Sequence, residues 1–238
     1  MRIEILYPEL CNLFGDAMNA EYLRRAVPEA EFIDTTLKTR PAFADGDVSL
    51  IYLGSMTEDG QNHATEALRP HKERIIELID SGTIFLVTGN ALELFGTRIE
   101  NEDGSYIKTL ELFDLYARRE MMRRYSSIYL GTFEDMEIVG FKSQFAHSYA
   151  GGAPLPLFRT KRGAGRKPGQ KEEGVRINNF MATYVLGPLL LMNPPFVRYL
   201  LGLLGVEKDE LPCEKAALDA YKARLREYHD PKTDELYD

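Results

Sequence analysis

An α/β protein with a mostly parallel open sheet flanked by helices, extended by antiparallel strands, is the fold class this sequence predicts, and three observations predict it. Strand-like apolar runs alternate with helical patterns through the first half, the signature of βαβ units. The run TIFLV at 83–87 turns sharply through Thr88-Gly89-Asn90 into a short helical pattern, as a central parallel strand does at its carboxyl end. From about residue 97 onward, short strand-like runs separated by turn residues suggest an antiparallel addition beside that sheet.

The elements follow in order. Residues 2–7 read as the first strand. Residues 16–27 follow as a helix, with Met18, Tyr22, Leu23 and Ala26 at helical spacing, and 31–34 as the next strand. VSLIYLG at 48–54 is a buried strand running into a loop. Between 62 and 80, Leu68, Ile75, Ile76 and Ile79 share one helical face, and Ser81-Gly82 is a stop signal. The strand at 83–87 leads into a short helix at 91–95, closed by Gly96. Residues 97–100 and 105–109 flank Asn101-Glu102-Asp103-Gly104 as a hairpin, and 127–133 and 136–141 suggest further strands. Residues 151–174, rich in Gly, Pro, Lys and Arg and nearly without apolar periodicity, read as a long mobile basic loop. Extended structure resumes at 175–185, and helices near 195–204 and 214–228 complete one domain spanning 1–238.

Composition narrows the partners. With 44% hydrophobic residues in 238, the chain can bury a sizeable core. A net charge of −8 argues against nucleic acid as the main partner. The run 159–171 is locally basic, but Glu172 and Glu173 blunt it, and most such runs are solvated. Cys11 and Cys213 lie far apart and suit neither a disulfide framework nor a metal cluster, so a reducing, cytoplasmic setting is expected, with no metal or other cofactor. No window approaches the roughly 20 apolar residues that span a bilayer, so no membrane insertion is expected. The most apolar stretch, 186–204, is interrupted by Asn193, Pro194, Pro195 and Arg198.

Three stretches carry a resemblance. Leu6-Tyr7-Pro8-Glu9-Leu10-Cys11-Asn12-Leu13-Phe14-Gly15-Asp16 is similar to "LYPDLLNLYGD". Leu53-Gly54 through Leu68, His71 and Lys72 into 83–96 matches a strand, helix and nucleophile-elbow block in order and spacing. Ala182-Thr183-Tyr184-Val185-Leu186-Gly187-Pro188-Leu189-Leu190, followed by Asn193-Pro194, is similar to "GTYLHGPLLPKNP". Together they resemble class I glutamine amidotransferase domains, of flavodoxin-like fold, of the type found in cobyric acid synthase and in the glutaminase subunit of lipid II isoglutaminyl synthase.

The resemblance implies a mechanism and also withholds it. In that family a cysteine at the elbow attacks the glutamine amide, a histidine activates it, backbone N–H groups hold the oxyanion, and ammonia passes to a partner ligase. Aligned with "AICGGYQLLG", residues 87–96 put Gly89 at the cysteine position and Asn90 at the second elbow glycine; Leu186 takes the histidine position. Neither Gly89 nor Leu186 can accept or donate a proton through its side chain. The expected function is that of a catalytically degenerate subunit, bound to a Mur-ligase-like partner in cell-wall metabolism. The alternative is an active glutaminase with a displaced nucleophile, for which Cys11 and His147 are the candidates. Gly140-Phe141 resembles the start of the family's "GFENH", whose histidine falls on Gln144. Thr88 brings a hydroxyl to the elbow but needs a positioned base. A ligand pocket for a small anionic or amide ligand is expected at Gly54, Ser55, Thr88, Gly89, Asn90 and Gln144. Free N–H groups where the helix opens favour an anion. Asn90 also suits a helix cap, and Glu93, at the family's glutamine position, opposes negative charge.

Overall fold

The computed structural model describes residues 1–152 and 155–236. The chain runs through β1 (Arg2–Leu6), α1 (Ala17–Ala26), β2 (Glu31–Thr35), β3 (Leu50–Leu53), α2 (Glu58–Leu68), α3 (Lys72–Asp80) and β4 (Ile84–Thr88), the alternation that the apolar pattern predicts. Next come β5 (Arg98–Glu100), β6 (Tyr106–Lys108), β7 (Leu115–Arg119), β8 (Tyr125–Phe133), β9 (Met136–Gln144), β10 (Ala146–Ala150), β11 (Phe158–Arg162) and β12 (Glu172–Glu173). The last elements are β13 (Val175–Ile177), β14 (Phe180–Thr183), α4 (Leu189–Met192), α5 (Pro194–Leu203) and α6 (Glu214–His229).

The main sheet has the order β13-β14-β4-β3-β1-β2. Its β14, β4, β3, β1 and β2 pair in parallel, and β13 joins antiparallel at one edge. Because successive side chains of a strand point to opposite faces, the sheet divides two cores. Ile3, Ile5, Leu50, Tyr52, Ile84 and Leu86 pack on the side of α1 and α5, and Ile51, Leu53, Phe85 and Val87 pack on the side of α2 and α3. A strand buried on both faces needs an unbroken apolar run, and all of β3 and β4 is buried. Two further sheets, β10-β7-β5-β6 and β12-β11-β8-β9, form the extension, and its pairs are antiparallel except β5 with β7, which run parallel. Among the described residues no helix is long and apolar enough to cross a membrane.

Three details differ from expectation. The helix expected across 62–80 is two helices with a 3-10 turn, Arg69–His71, between them; Pro70 has no N–H to continue the hydrogen-bond ladder. α2 also starts earlier, at Glu58, where Thr57 Oγ1 accepts from Gly60 N at 3.1 Å. Within 151–174, read as loop, β11 and β12 pair with each other, and β11 also pairs with β8. Phe158 and Thr160 point inward while Arg159 and Lys161 point out, so charges on one face hide a period of two. Arg166 is buried and donates to Gly174 O at 3.0 Å. Pro154 and Ala153, in the same stretch, lie outside the described residues.

A buried ion pair ties the extension to the main sheet. Lys142 of β9 and Glu173 of β12 form a salt bridge, both side chains fully buried. Lys142 Nζ also donates to Gly165 O at 2.5 Å. Glu173 Oε1 accepts from Thr183 Oγ1 at 2.8 Å and from Tyr184 N at 2.7 Å, which holds the end of β14. Burial lowers the Lys142 pKa, opposed by the Glu173 charge. Truncating one partner strands the other charge without water. Lys142→Met is therefore expected to cost about 3–5 kcal/mol in urea unfolding; a loss below about 1 kcal/mol would show that the pair is not holding this junction.

Candidate functional site

The site forms where the parallel strands end. β4 stops at Thr88, and Gly89 opens a seven-residue 3-10 helix, Gly89–Phe95, as the elbow expectation requires. Gly89 has φ +63°, the left-handed region that favours glycine. A β carbon there would overlap the Ser55 Cβ and stand 3.2 Å from Ser55 Cα and 3.3 Å from Leu186 Cδ2. The two positions that the resemblance assigns to nucleophile and base thus do meet in space. They meet as a glycine against a leucine, and Leu186 is 2% exposed.

One carboxylate sets this geometry. Asp16, in the turn before α1, accepts on Oδ2 from Thr88 Oγ1 at 2.5 Å and from Ser55 N at 2.7 Å, and on Oδ1 from Asn19 Nδ2 at 2.7 Å. Tyr52 OH donates to Asp16 O at 2.9 Å and lies 3.1 Å from Thr88 Oγ1. Asn19 Oδ1 in turn accepts from Leu190 N at 2.9 Å. Hence all three stretches that carry the family resemblance are joined by hydrogen bonds through Asp16 and Asn19. Burial raises the Asp16 pKa against the pull of these donors.

Beside the elbow lies a cavity of about 280 Å³, bordered by Phe14, Ser55, Gln61, Gly89, Glu93, Arg119, Gln144, Tyr184 and Leu186 among others. Glu93 is its acidic centre. Its Oε2 accepts from Gln61 Nε2 at 2.9 Å and its Oε1 from Tyr184 OH at 3.0 Å. Arg119 Nη2 donates to Gln61 Oε1 at 2.7 Å. Burial pushes the Glu93 carboxyl up to about 7, the hydrogen bonds from Gln61 and Tyr184 and the Arg119 charge working the other way. Arg119 Nε and Gln144 Oε1 are buried and have no hydrogen-bond partner among the described residues. A buried donor and a buried acceptor left open are costly unless something completes them.

The residues singled out in the sequence divide. Ser55, Gly89, Asn90 and Gln144 border the cavity; Gly54 and Thr88 do not, being packed behind it against Asp16. Asn90 is no helix cap. Thr88 holds that position, and the Asn90 amide instead donates to Met56 O at 2.7 Å and accepts from Met56 N at 3.0 Å. Cys11 is buried beside Gly54, and burial pushes its thiol up to about 12. His147, on β10, is buried with Nδ1 3.1 Å from Gln144 Nε2 and its ring edge-on to Tyr125. It does not border the elbow cavity. Among the described residues no group of three His, Cys, Asp or Glu could hold a metal ion.

Residues 2–193, which contain all of this machinery, match the model of the CobB/CobQ-like glutamine amidotransferase domain. The chain belongs to that family. Among curated relatives of this CobB/CobQ-like chain is the lipid II isoglutaminyl synthase (glutamine-hydrolyzing) subunit GatD of Staphylococcus aureus (strain N315), 25% identical over 210 residues, 87% of this chain and 85% of that one. A crystal structure of a glutamine amidotransferase superposes with a TM-score of 0.56 at 15% identity, covering 85% of this chain and 99% of the other. Another, from Thermotoga maritima, gives 0.52 at 9% identity, covering 94% and 92%. At such identities these structures speak for the fold.

Three side chains of the CobB/CobQ-like pocket escaped the sequence reading. Gln61 lies just before the helix expected at 62–80 and inside the observed α2, Arg119 lies on β7, a strand the sequence does not predict, and Tyr184 lies inside a motif whose functional position is Leu186. Glu93 was foreseen as an acid, but not its partners. Its titration is testable. Because its folded pKa, about 7, lies above the ordinary 4.5, the protonated form favours the fold. That stabilisation is complete below about pH 4.5 and is lost as pH rises through 7. The expected loss across this window is up to about 3 kcal/mol. Glu93→Gln should remove this slope in urea titrations between pH 4.5 and 8, and an unchanged slope would assign it to another group.

Proposed function

We propose that this chain is a catalytically degenerate glutamine amidotransferase-like subunit. In this reading it works in the cytoplasm by binding a Mur-ligase-like amidating partner in cell-wall metabolism. The observation that carries the reading is the packing at the elbow. Gly89 leaves no volume for a nucleophilic side chain, because Ser55 occupies the space a β carbon would take, and Leu186 presents only methyl groups where the family mechanism needs a base. An oxyanion site without an attacking group has no intermediate to stabilise.

The cell-wall setting and the partner draw on the relative named as a subunit of lipid II isoglutaminyl synthase. Phe14, 45% exposed at the rim of the elbow cavity, offers that partner an apolar contact next to the pocket. The open Arg119 Nε and Gln144 Oε1 suit a small ligand that brings both an acceptor and a donor, as a carboxamide does. The displaced-nucleophile alternative would require Cys11 to ionise. A thiol held at about 12 is almost wholly protonated near neutrality.

The protein incubated with glutamine is expected to release no ammonia above the buffer control. A triple change, Gly89→Cys with Leu186→His and Ser55→Gly, supplies thiol, base and the missing space, and is expected to recover a measurable rate. Ammonia release by the unmodified protein, abolished by Cys11→Ser or His147→Ala, would overturn the proposal. Affinity capture from the native host is expected to return a ligase-like protein as a stable partner.

A further inference from the structure

A second hollow lies on the antiparallel extension, away from Gly89. It has a volume of about 580 Å³ and is bordered by Arg123, Arg124, Lys167, His147, Tyr149 and Glu120, among others. These residues come from three separate stretches of chain: the turn before β8, strand β10, and the segment between β11 and β12. The protein carries net charge −8, and most of its cations are paired with carboxylates. Arg123, Arg124 and Lys167 are not: they form no ion pair among the described residues. Three unpaired cations converging on one hollow of an acidic protein repel one another, and a bound anion would relieve that repulsion.

The polar groups around them are arranged as donors. Lys167 Nζ is held 4.3 Å from the centroid of the Tyr149 ring, whose other neighbours are the stacked Tyr116 and the Arg118 guanidinium. Burial lowers the pKa of His147. Its Nδ1 faces the Gln144 amide nitrogen at 3.1 Å. A nitrogen that accepts from an amide donor cannot carry the hydrogen, so the neutral ring has it on Nε2, which has no partner among the described residues. Among the described residues that border the hollow, Glu120 supplies the one carboxylate against the three cations, an excess of two positive charges among them.

We propose that this hollow binds the phosphate or pyrophosphate group of a small ligand. A dianion matches the excess charge, where one carboxylate would neutralise half of it, and guanidinium forks suit phosphate oxygens. The hollow lies within the size range of small-molecule sites. A long polyanion such as RNA is the weaker fit, because it would run from the hollow onto a surface that is acidic overall. This inference does not depend on whether the elbow is active.

Isothermal titration calorimetry in about 50 mM salt, on the full chain, tests it with inorganic pyrophosphate, inorganic phosphate, a nucleoside diphosphate and acetate at matched ionic strength. Pyrophosphate is expected to bind at least tenfold tighter than acetate. Arg123→Gln combined with Arg124→Gln is expected to weaken it at least tenfold, and Lys167→Gln about threefold. Arg123 and Arg124 are exposed, so these variants keep the fold, checked by an unchanged Tm. A nucleoside diphosphate tighter than pyrophosphate supports the proposal with a nucleotide as the source of the phosphate; equal binding of the two supports it with the phosphates alone recognised. Equal responses to acetate and pyrophosphate, undiminished binding by the double variant, or a single-stranded oligonucleotide binding as tightly as pyrophosphate would each overturn it.

Discussion

The Asp16 carboxylate is buried among donors that belong to three different segments, and the geometry of the elbow follows from where it holds them. Thr88 ends the central strand, Ser55 begins the loop after β3, Asn19 lies on α1, and each gives Asp16 a hydrogen bond of 2.7 Å or less. Each of these donors, left buried and unpaired, would cost about 1–3 kcal/mol. Ser55 is thereby fixed against Gly89, and the lack of space at Gly89 is a consequence of the Asp16 junction. Through Asn19 and Leu190 the same junction locates the segment that brings Leu186 to the elbow.

The two halves of the pocket are built differently. The elbow side rests on backbone geometry at strand ends, where the chain has little freedom. The opposite side, with Arg119 and Gln144, comes from the antiparallel extension and is held in place through Lys142 and Glu173. Glu93 joins the two, reaching Tyr184 directly and Arg119 by way of Gln61. On the proposed reading, a buried acid with so complete a set of partners, next to a glycine at the elbow, belongs to a polar framework that serves binding.

The parallel half was legible in the sequence because its strands are unmixed apolar runs such as TIFLV, and a strand covered on both faces can be little else. The elbow was legible because Gly89 marks the turn between a strand and a helical pattern. The extension was less so. β7 and β11 alternate buried residues with Arg118, Arg159 and Lys161, so their mean character is polar and their period is hidden by charge. The pairing of Arg119 with Gln61 spans 58 residues, and no local pattern reports a contact made by packing a strand of the extension, β7, against the helix α2. Asp16 did have a signal, as the last residue of the first family-like stretch, but its role emerges only when the strand ends are brought together.

The central claim is that no thiol near the elbow is a nucleophile. Its most direct test is intact-mass spectrometry of the Cys213→Ser protein after exposure to a chloroketone analogue of glutamine. The substitution removes the exposed Cys213, which any electrophile would label, and leaves Cys11 as the sole thiol. The account predicts an unchanged mass at neutral pH, because the Cys11 thiol, raised to about 12, presents almost no thiolate. A stoichiometric adduct on Cys11, prevented by glutamine, would contradict it.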